Sequence, residues 1–198
     1  MTKVYHWGPL LFHTQIEDST LNQIKDLCII DKNLDFKKEL AGHIDNEYKI
    51  NSEFLQKYLN KSLNQFLECF KHYYSREKYN LKIPNAWVNF MKKGEFNPPH
   101  EHEGDFSSVL YLDIPIELEE EYKKHKDKLI KSDGPGAICF MSNCSVPNFF
   151  IKQYTFFPKR GDMFIFPSKL IHYVFPFKSD IERVSIAYNI EFINDPST

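Results

Sequence analysis

The spacing of hydrophobic residues changes near residue 80. In "NSEFLQKYLNKSLNQFLECFKHYYSREKYN", Leu55, Leu59, Leu63, Phe66, Phe70 and Tyr73 recur every three or four positions, which places them on one face of a long helix. Asn51 or Ser52 stands where such a helix needs an acceptor for its first free amides. A shorter stretch, "EDSTLNQIKDLCII", repeats the pattern with Leu21, Ile24, Leu27 and Cys28 behind the cap candidates Asp18, Ser19 and Thr20. The first third, to about residue 80, is therefore expected to be mostly helical.

From about Lys82 the runs are shorter and β-like: "AWVNFM", "FSSVLYLDI", "GAICFM", "FFIKQYTFFP", "DMFIFP" and "RVSIAYNIEF", separated by Pro, Gly, Asn and Asp. Six or more strands at this spacing, with no helix needed between them, predict an antiparallel sandwich or barrel over about 82–195, with the helices covering one face. The charged segment "ELEEEYKKHKDKLIKSDGPG", Glu117 to Gly136, reads as a surface helix or a flap beside the mouth of that barrel.

Length and composition fit this picture. The chain has 198 residues, enough for one well-cored domain with an accessory layer, and 18 Phe and 11 Tyr suit a β-rich core. A formal net charge of -2 argues against a nucleic-acid partner. The four cysteines, Cys28, Cys69, Cys139 and Cys144, form no C-x-x-C pair and suit a reducing cytoplasm. The first residues lack the apolar core of a secretory leader, and no run reaches the roughly 18 apolar residues of a membrane span.

The candidate chemistry begins in "GEFNPPHEHEGDF". Pro98 and Pro99 bias the chain toward extended structure, and in a strand starting near His100 that residue and His102 would share a face. Two imidazoles so placed can meet one metal ion, although an H-x-H pair alone is weak evidence. About seventy residues on, in "KRGDMFIFPSKLIHYVFPF", a strand and a turn lead to His172, which would return a third imidazole to the same end of the barrel. In "RVSIAYNIEF", Val184, Ile186, Tyr188, Ile190 and Phe192 fall on one face, and Arg183, Ser185, Ala187 and Asn189 on the other. Arg183 is either a solvated edge charge beside Asp180 and Glu182 or a buried cation awaiting an anionic ligand. Trp87 and Asn89, alternate residues of the strand before the histidines, are candidates for the substrate side, with ordinary core burial the competing reading for Trp87.

At these residues the sequence resembles the iron(II)- and 2-oxoglutarate-dependent oxygenases, and most of all the phage-type, prolyl 4-hydroxylase-like members. The most specific blocks are "WVNFMKKGEFNPPHEHEGDF" and "KRGDMFIFPSKLIHYVFPFKSDIERVSIAYNI". The resemblance implies a double-stranded β-helix, or jelly roll, with supporting helices. His100 matches the first histidine of the H-x-D/E motif and His172 the distal one. Arg183 and Ser185 match the R-x-S pattern that receives the far carboxylate of 2-oxoglutarate, and Tyr111 resembles the strand tyrosine that hydrogen-bonds it. By the same resemblance the cofactor is Fe(II), the cosubstrates are 2-oxoglutarate and O2, and the reaction is hydroxylation of an unactivated C–H bond with release of succinate and CO2. The first candidate substrate is a peptidyl prolyl residue, and the compartment is the cytoplasm, that of an infected host if the gene is phage-borne.

One position departs from the family pattern: His102 occupies the place of the carboxylate ligand. Three ligand sets stay open: His100, His102 and His172, which is favoured; a set in which Asp105 supplies the carboxylate; and one in which His102 begins an H-x-G sequence with Gly104 and a coordination position is free. A cupin of another function is the main rival, since Gly94 to His102 has the spacing G-x5-H-x-H and Gly161, Pro167 and His172 fit most of the second cupin motif. A three-histidine zinc site leaves Arg183 without a role, and a non-enzymatic β-sandwich interaction module leaves the histidines without one.

Overall fold

Asn51 caps the long helix, its side chain accepting the Phe54 amide at 3.0 Å, so the segment with the strongest apolar stripe begins where its sequence supplies an acceptor. The computed structural model describes residues 8–75, 80–128, 134–142 and 153–193. Several sequence readings touch residues outside these: the leader reading of residues 1–7, Cys144, the start of "FFIKQYTFFP", residues 129–133 of the charged segment and the chain beyond 193.

Helix α1 is Asp18–Lys25 and α2 is Ser52–Tyr74. Glu17, not a residue of the Asp-Ser-Thr cluster, occupies the cap position of α1, and it makes no side-chain cap bond. Along α2, Leu55, Leu59, Leu63, Phe66 and Phe70 are buried, but Tyr73 departs from the stripe: it is exposed and its hydroxyl donates to the Gly8 carbonyl. The first third also contributes two strands, β1 Phe12–Gln15 and β2 Glu47–Lys49, which the helical pattern did not reveal because each is too short to show a period.

The remaining strands are β3 Asn80–Lys82, β4 Ala86–Lys92, β5 Asn97–His100, β6 Phe106–Asp113, β7 Ile138–Met141, β8 Gln153–Phe156, β9 Asp162–Pro167, β10 Ile171–Val174 and β11 Glu182–Ile193. They form two antiparallel sheets. The larger runs β1-β9-β6-β11-β4-β2 with β3 paired to β11, and the smaller runs β5-β10-β7-β8. A helix does intervene among the strands: α3, Ile116–Lys128, links β6 to β7 and realises the charged segment as helix up to residue 128. Its Leu118 is fully buried against Gly136, where φ is +70° and a Cβ would lie 2.9 Å from the leucine. Only glycine suits that position.

Alternation along the strands sorts the side chains into two cores. On one face of the larger sheet, Leu110, Met163, Ile165, Ile186, Tyr188 and Ile190 pack with Leu55, Leu59, Leu63 and Phe66 of α2. On the other, Tyr111, Phe164 and Phe166 pack with Ile138, Phe140 and Val174 of the smaller sheet. Both faces of the central strands are covered, so β9 reads as an unbroken apolar run while its odd and even residues serve different cores. The cavity described next opens between the two sheets.

Candidate active site

The site begins at the edge of the smaller sheet. Pro98 and Pro99 lie in β5, the terminal strand, where a missing amide costs no ladder bond on the open side. β5 pairs with β10 so that His100 and His172 are direct partners. The strand ends at His100, so His102 is not presented by strand alternation. It lies in the following loop, and Ser168, in the turn between β9 and β10, fixes that loop with three bonds: its carbonyl accepts the His102 amide at 2.9 Å, its amide donates to the Asp105 carbonyl at 3.1 Å, and its hydroxyl donates to the Gly104 carbonyl at 2.5 Å. Nothing in the sequence marked Ser168 for this role.

The ligand atoms of His100, His102 and His172 all lie within 4.8 Å of one another. His100 Nδ1 is 2.7 Å from the Pro98 carbonyl and His172 Nδ1 is 3.0 Å from the Leu170 carbonyl. A carbonyl only accepts, so in both rings Nδ1 carries the proton and Nε2 keeps its lone pair. His102 Nε2 and His172 Nε2 are 3.2 Å apart. Two imidazole nitrogens each about 2.1 Å from one divalent ion lie at about this separation. Burial lowers the pKa of all three rings: His100 is lowered, His102 is held at about 4 with the charges of His100 and Lys169 adding to burial, and His172 lies well below the ordinary value. Neutral rings near pH 7 are the ligating form, so the donor set fits a divalent first-row metal ion.

Asp105 does not join them. Its Oδ2 accepts the Phe192 amide at 2.8 Å, its backbone amide donates to the Ile190 carbonyl at 3.0 Å, and it is exposed at the end of β11. Among the described residues, no carboxylate belongs to the metal-ligand group. Glu101, between the two histidines, points outward and pairs with Lys169 at 3.1 Å.

A cavity open to solvent adjoins the histidines, and Trp87, Asn89, Tyr111, Arg183 and Ser185 all line it. Arg183 is 1% exposed, donates from Nη1 to the Gly136 carbonyl at 3.2 Å, and sits with its guanidinium carbon 5.4 Å from the centre of the Tyr111 ring. Among the described residues its Nε has no hydrogen-bond partner, and neither has the fully buried Tyr111 hydroxyl. Among the described residues no carboxylate pairs with Arg183. Burial pushes the Tyr111 hydroxyl up to about 12, against the lowering effect of Arg183, so it remains a donor near neutrality. Two buried donors without acceptors beside a metal-ligating triad fit a carboxylate bound between them. Trp87 is both buried and part of the cavity wall, its ring 5.8 Å from that of His102.

Residues that the sequence did not single out line the other end. Glu47 on β2 is 2% exposed, and Asn97 and Gly42 stand beside it. Nothing in "NEYKI" marks the glutamate for burial; the pairing of β2 with β4 places it there.

A family model described as "Putative 2OG-Fe(II) oxygenase" matches residues 85–189. No curated protein matches the chain in sequence. Among solved structures, the fold is similar to the viral collagen prolyl hydroxylase of Paramecium Bursaria Chlorella virus-1 in its 2-oxoglutarate complex (16% identity, 91% of this chain and 94% of that one covered, TM-score 0.56). It is also similar to a Pseudomonas putida prolyl-4-hydroxylase (15%, 93% and 92%, 0.52) and to HygX of Streptomyces hygroscopicus with nickel, 2-oxoglutarate and hygromycin B bound (10%, 93% and 82%, 0.54). These likenesses establish the double-stranded β-helix fold. The family match spans more than half of the chain and includes the three histidines, Tyr111, Arg183 and Ser185: the protein belongs to the 2OG-Fe(II) oxygenases, enzymes that work with Fe(II), 2-oxoglutarate and O2.

Proposed function

We propose that this oxygenase, acting as one domain, hydroxylates an unactivated C–H bond of a peptide substrate, with a peptidyl prolyl residue as the first candidate. His100, His102 and His172 would hold Fe(II). Arg183 and Tyr111, with Ser185 beside them, would receive the far carboxylate of 2-oxoglutarate, and Trp87 and Asn89 would face the substrate. The observation that carries this reading is the pair of orphaned donors, Tyr111 Oη and Arg183 Nε, in one cavity with three ligand-competent imidazoles.

Fe(II) and 2-oxoglutarate would supply the oxidising chemistry, one oxygen atom of O2 leaving in succinate and the other entering the substrate as hydroxyl, with CO2 released. The protein's part is placement. The Pro98 and Leu170 carbonyls hold two imidazoles in the tautomer that leaves Nε2 open. Arg183, buried and with Ile138, Phe166 and Val174 among the apolar residues of the cavity wall, would balance one anionic charge where solvent screens it little. The prolyl assignment draws on the likeness to two prolyl hydroxylases.

The test is an anaerobic titration of metal-free protein with Fe(II) and then 2-oxoglutarate, followed by visible absorption. A charge-transfer band that needs far more 2-oxoglutarate in Arg183→Ala is the expected result. Fe(II) binding without a band would sink the cosubstrate assignment.

A further inference from the structure

Across the larger sheet one row of paired positions runs from β2 to β6: Glu47 pairs with Asn89, Asn89 with Ser185, and Ser185 with Tyr111. All four line the cavity. Neighbouring strands are about 4.8 Å apart, so the two ends of the row stand about 14 Å from each other. The Tyr111 end is the place of the orphaned donors. At the Glu47 end the orphans are carboxyl and amide oxygens, acceptors once Glu47 is ionised: Glu47 Oε2 and Asn89 Oδ1 are buried and have no hydrogen-bond partner among the described residues.

Two further oxygens crowd the same place. A Cβ on Gly42 would lie 2.4 Å from Asn97 Oδ1 and 3.2 Å from Glu47 Oε1, so the absent side chain is what lets both oxygens occupy this corner. The segment carrying Gly42 is tied to the strand before the histidines: the His43 amide donates to the Phe96 carbonyl at 2.9 Å, the His43 ring stacks on Phe96, and the Asp45 amide donates to Glu95 Oε1 at 3.0 Å. Burial, then the charges of Glu95 and Asp35, push the Glu47 carboxyl up to about 8. The surrounding field is thus negative. The nearest basic residue on β2, Lys49, is turned away over the Phe36 ring, and Arg183 belongs to the far end of the row.

We propose that this corner is a substrate subsite for a cationic N–H group, an ammonium or guanidinium, held by Glu47 with Asn89 and Asn97. The proposal rests on the oxygenase reading of the cavity and narrows its substrate: on a peptide, the group is a lysyl or arginyl side chain close to the residue that is oxidised. Such a cation supplies the donors that Glu47 Oε2 and Asn89 Oδ1 lack among the described residues, and its charge returns Glu47 to the carboxylate form. A neutral or acidic substrate would leave the acceptors unpaired or add to the repulsion.

The experiment uses protein loaded with Ni(II) and 2-oxoglutarate and measures calorimetric binding of four capped amino acids, the Nα-acetyl methylamides of lysine, arginine, norleucine and glutamate. Lysine and arginine probes are expected to bind about tenfold or more tighter than norleucine, with glutamate weakest. In Glu47→Gln, which keeps the shape of the side chain, the preference is expected to collapse to within about threefold of norleucine, the residue of discrimination left by neutral hydrogen bonds. Equal binding of lysine and norleucine by the wild type, binding of neither, or a preference that survives Glu47→Gln overturns the proposal. The Fe(II) and 2-oxoglutarate band is recorded in parallel on metal-free samples of the same proteins loaded with Fe(II): a missing band with the lysine preference intact overturns the cosubstrate assignment and leaves the cation subsite standing.

Discussion

Tyr111 and Glu47 stand at opposite ends of one row of side chains, and burial leaves them unsatisfied in opposite senses. Among the described residues, the unpaired atoms at the first end are donors, the Tyr111 hydroxyl and Arg183 Nε; at the second they are Glu47 Oε2 and Asn89 Oδ1, acceptors once Glu47 is ionised. A folded chain seldom buries such atoms without partners, since each costs about 1–3 kcal/mol. Their polarity therefore describes what is missing, an anion at one end and a donor-rich group at the other. The histidines and the donors belong to the part of the cavity lining that sequence motifs reveal, whereas the Glu47 corner is assembled by strands and loops that share no motif.

The comparison can be broken most sharply at the metal. His172→Ala removes the most deeply buried ligand and is expected to weaken Fe(II) binding by at least about 100-fold, measured as metal content after dialysis. If the metal stays, the triad is not the ligand set. At the donor end, Arg183→Ala is expected to raise the 2-oxoglutarate concentration needed for the visible band by about 30-fold or more, and Arg183→Lys to recover part of the loss, since an ammonium keeps the charge but not the planar fork. A band unmoved in Arg183→Ala would detach the cosubstrate from this end.

The acceptor end should be visible without any ligand. Glu47 has a folded pKa of about 8, above the ordinary carboxylate value, so between the two the folded chain holds a proton that the unfolded chain has released. Stability contributed by this group is present at low pH and falls as pH rises toward 8. Glu47→Gln is expected to stabilise the protein by on the order of 2 kcal/mol at pH 8 and by little at pH 4, read from denaturant unfolding at both values. An equal effect at the two pH values would remove the buried acid from the comparison.

The histidines slope the other way. Their depressed pKa values mean that the unfolded chain takes up protons the folded chain refuses, so stability of the metal-free protein is full above about pH 6.5 and declines as pH falls toward the folded value of about 4 at His102. Metal retention should follow the same direction and persist below pH 6, where an ordinary histidine is largely protonated; Mn(II) binding followed by paramagnetic resonance from pH 7.5 to 4.5 would show it. The smallest effect serves as a reference far from the cavity: Asn51→Ala should cost about 1 kcal/mol through the lost cap of α2 and leave metal and 2-oxoglutarate binding unaltered.

Much of this was readable before any coordinates. The spacing of Leu55, Leu59, Leu63, Phe66 and Phe70 announced α2 because burial of one helical face requires it, and the alternation in β11 separated Arg183 and Ser185 from the apolar face because side chains in a strand point to opposite sides. The three histidines, Tyr111, Arg183, Ser185, Trp87 and Asn89 were all named from local pattern or family resemblance, and all meet in one cavity. The sequence could not show how His102 reaches the site, since the strand stops at His100 and Ser168, more than sixty residues away, holds the loop in place. Nor could it choose between His102 and Asp105: both are near the first histidine, and only the pairing of Asp105 with the Phe192 amide takes its carboxylate elsewhere. Glu47 is the plainest case. In the chain it is a glutamate in a short polar-apolar alternation, and its burial, its acidic neighbours and the gap left by Gly42 exist only once β2 lies against β4 and the residues before it lie against β5. Periodicity is a property of neighbours along the chain, so sequence reports it; the partner of a buried polar atom is a property of neighbours in space, and folding alone decides that.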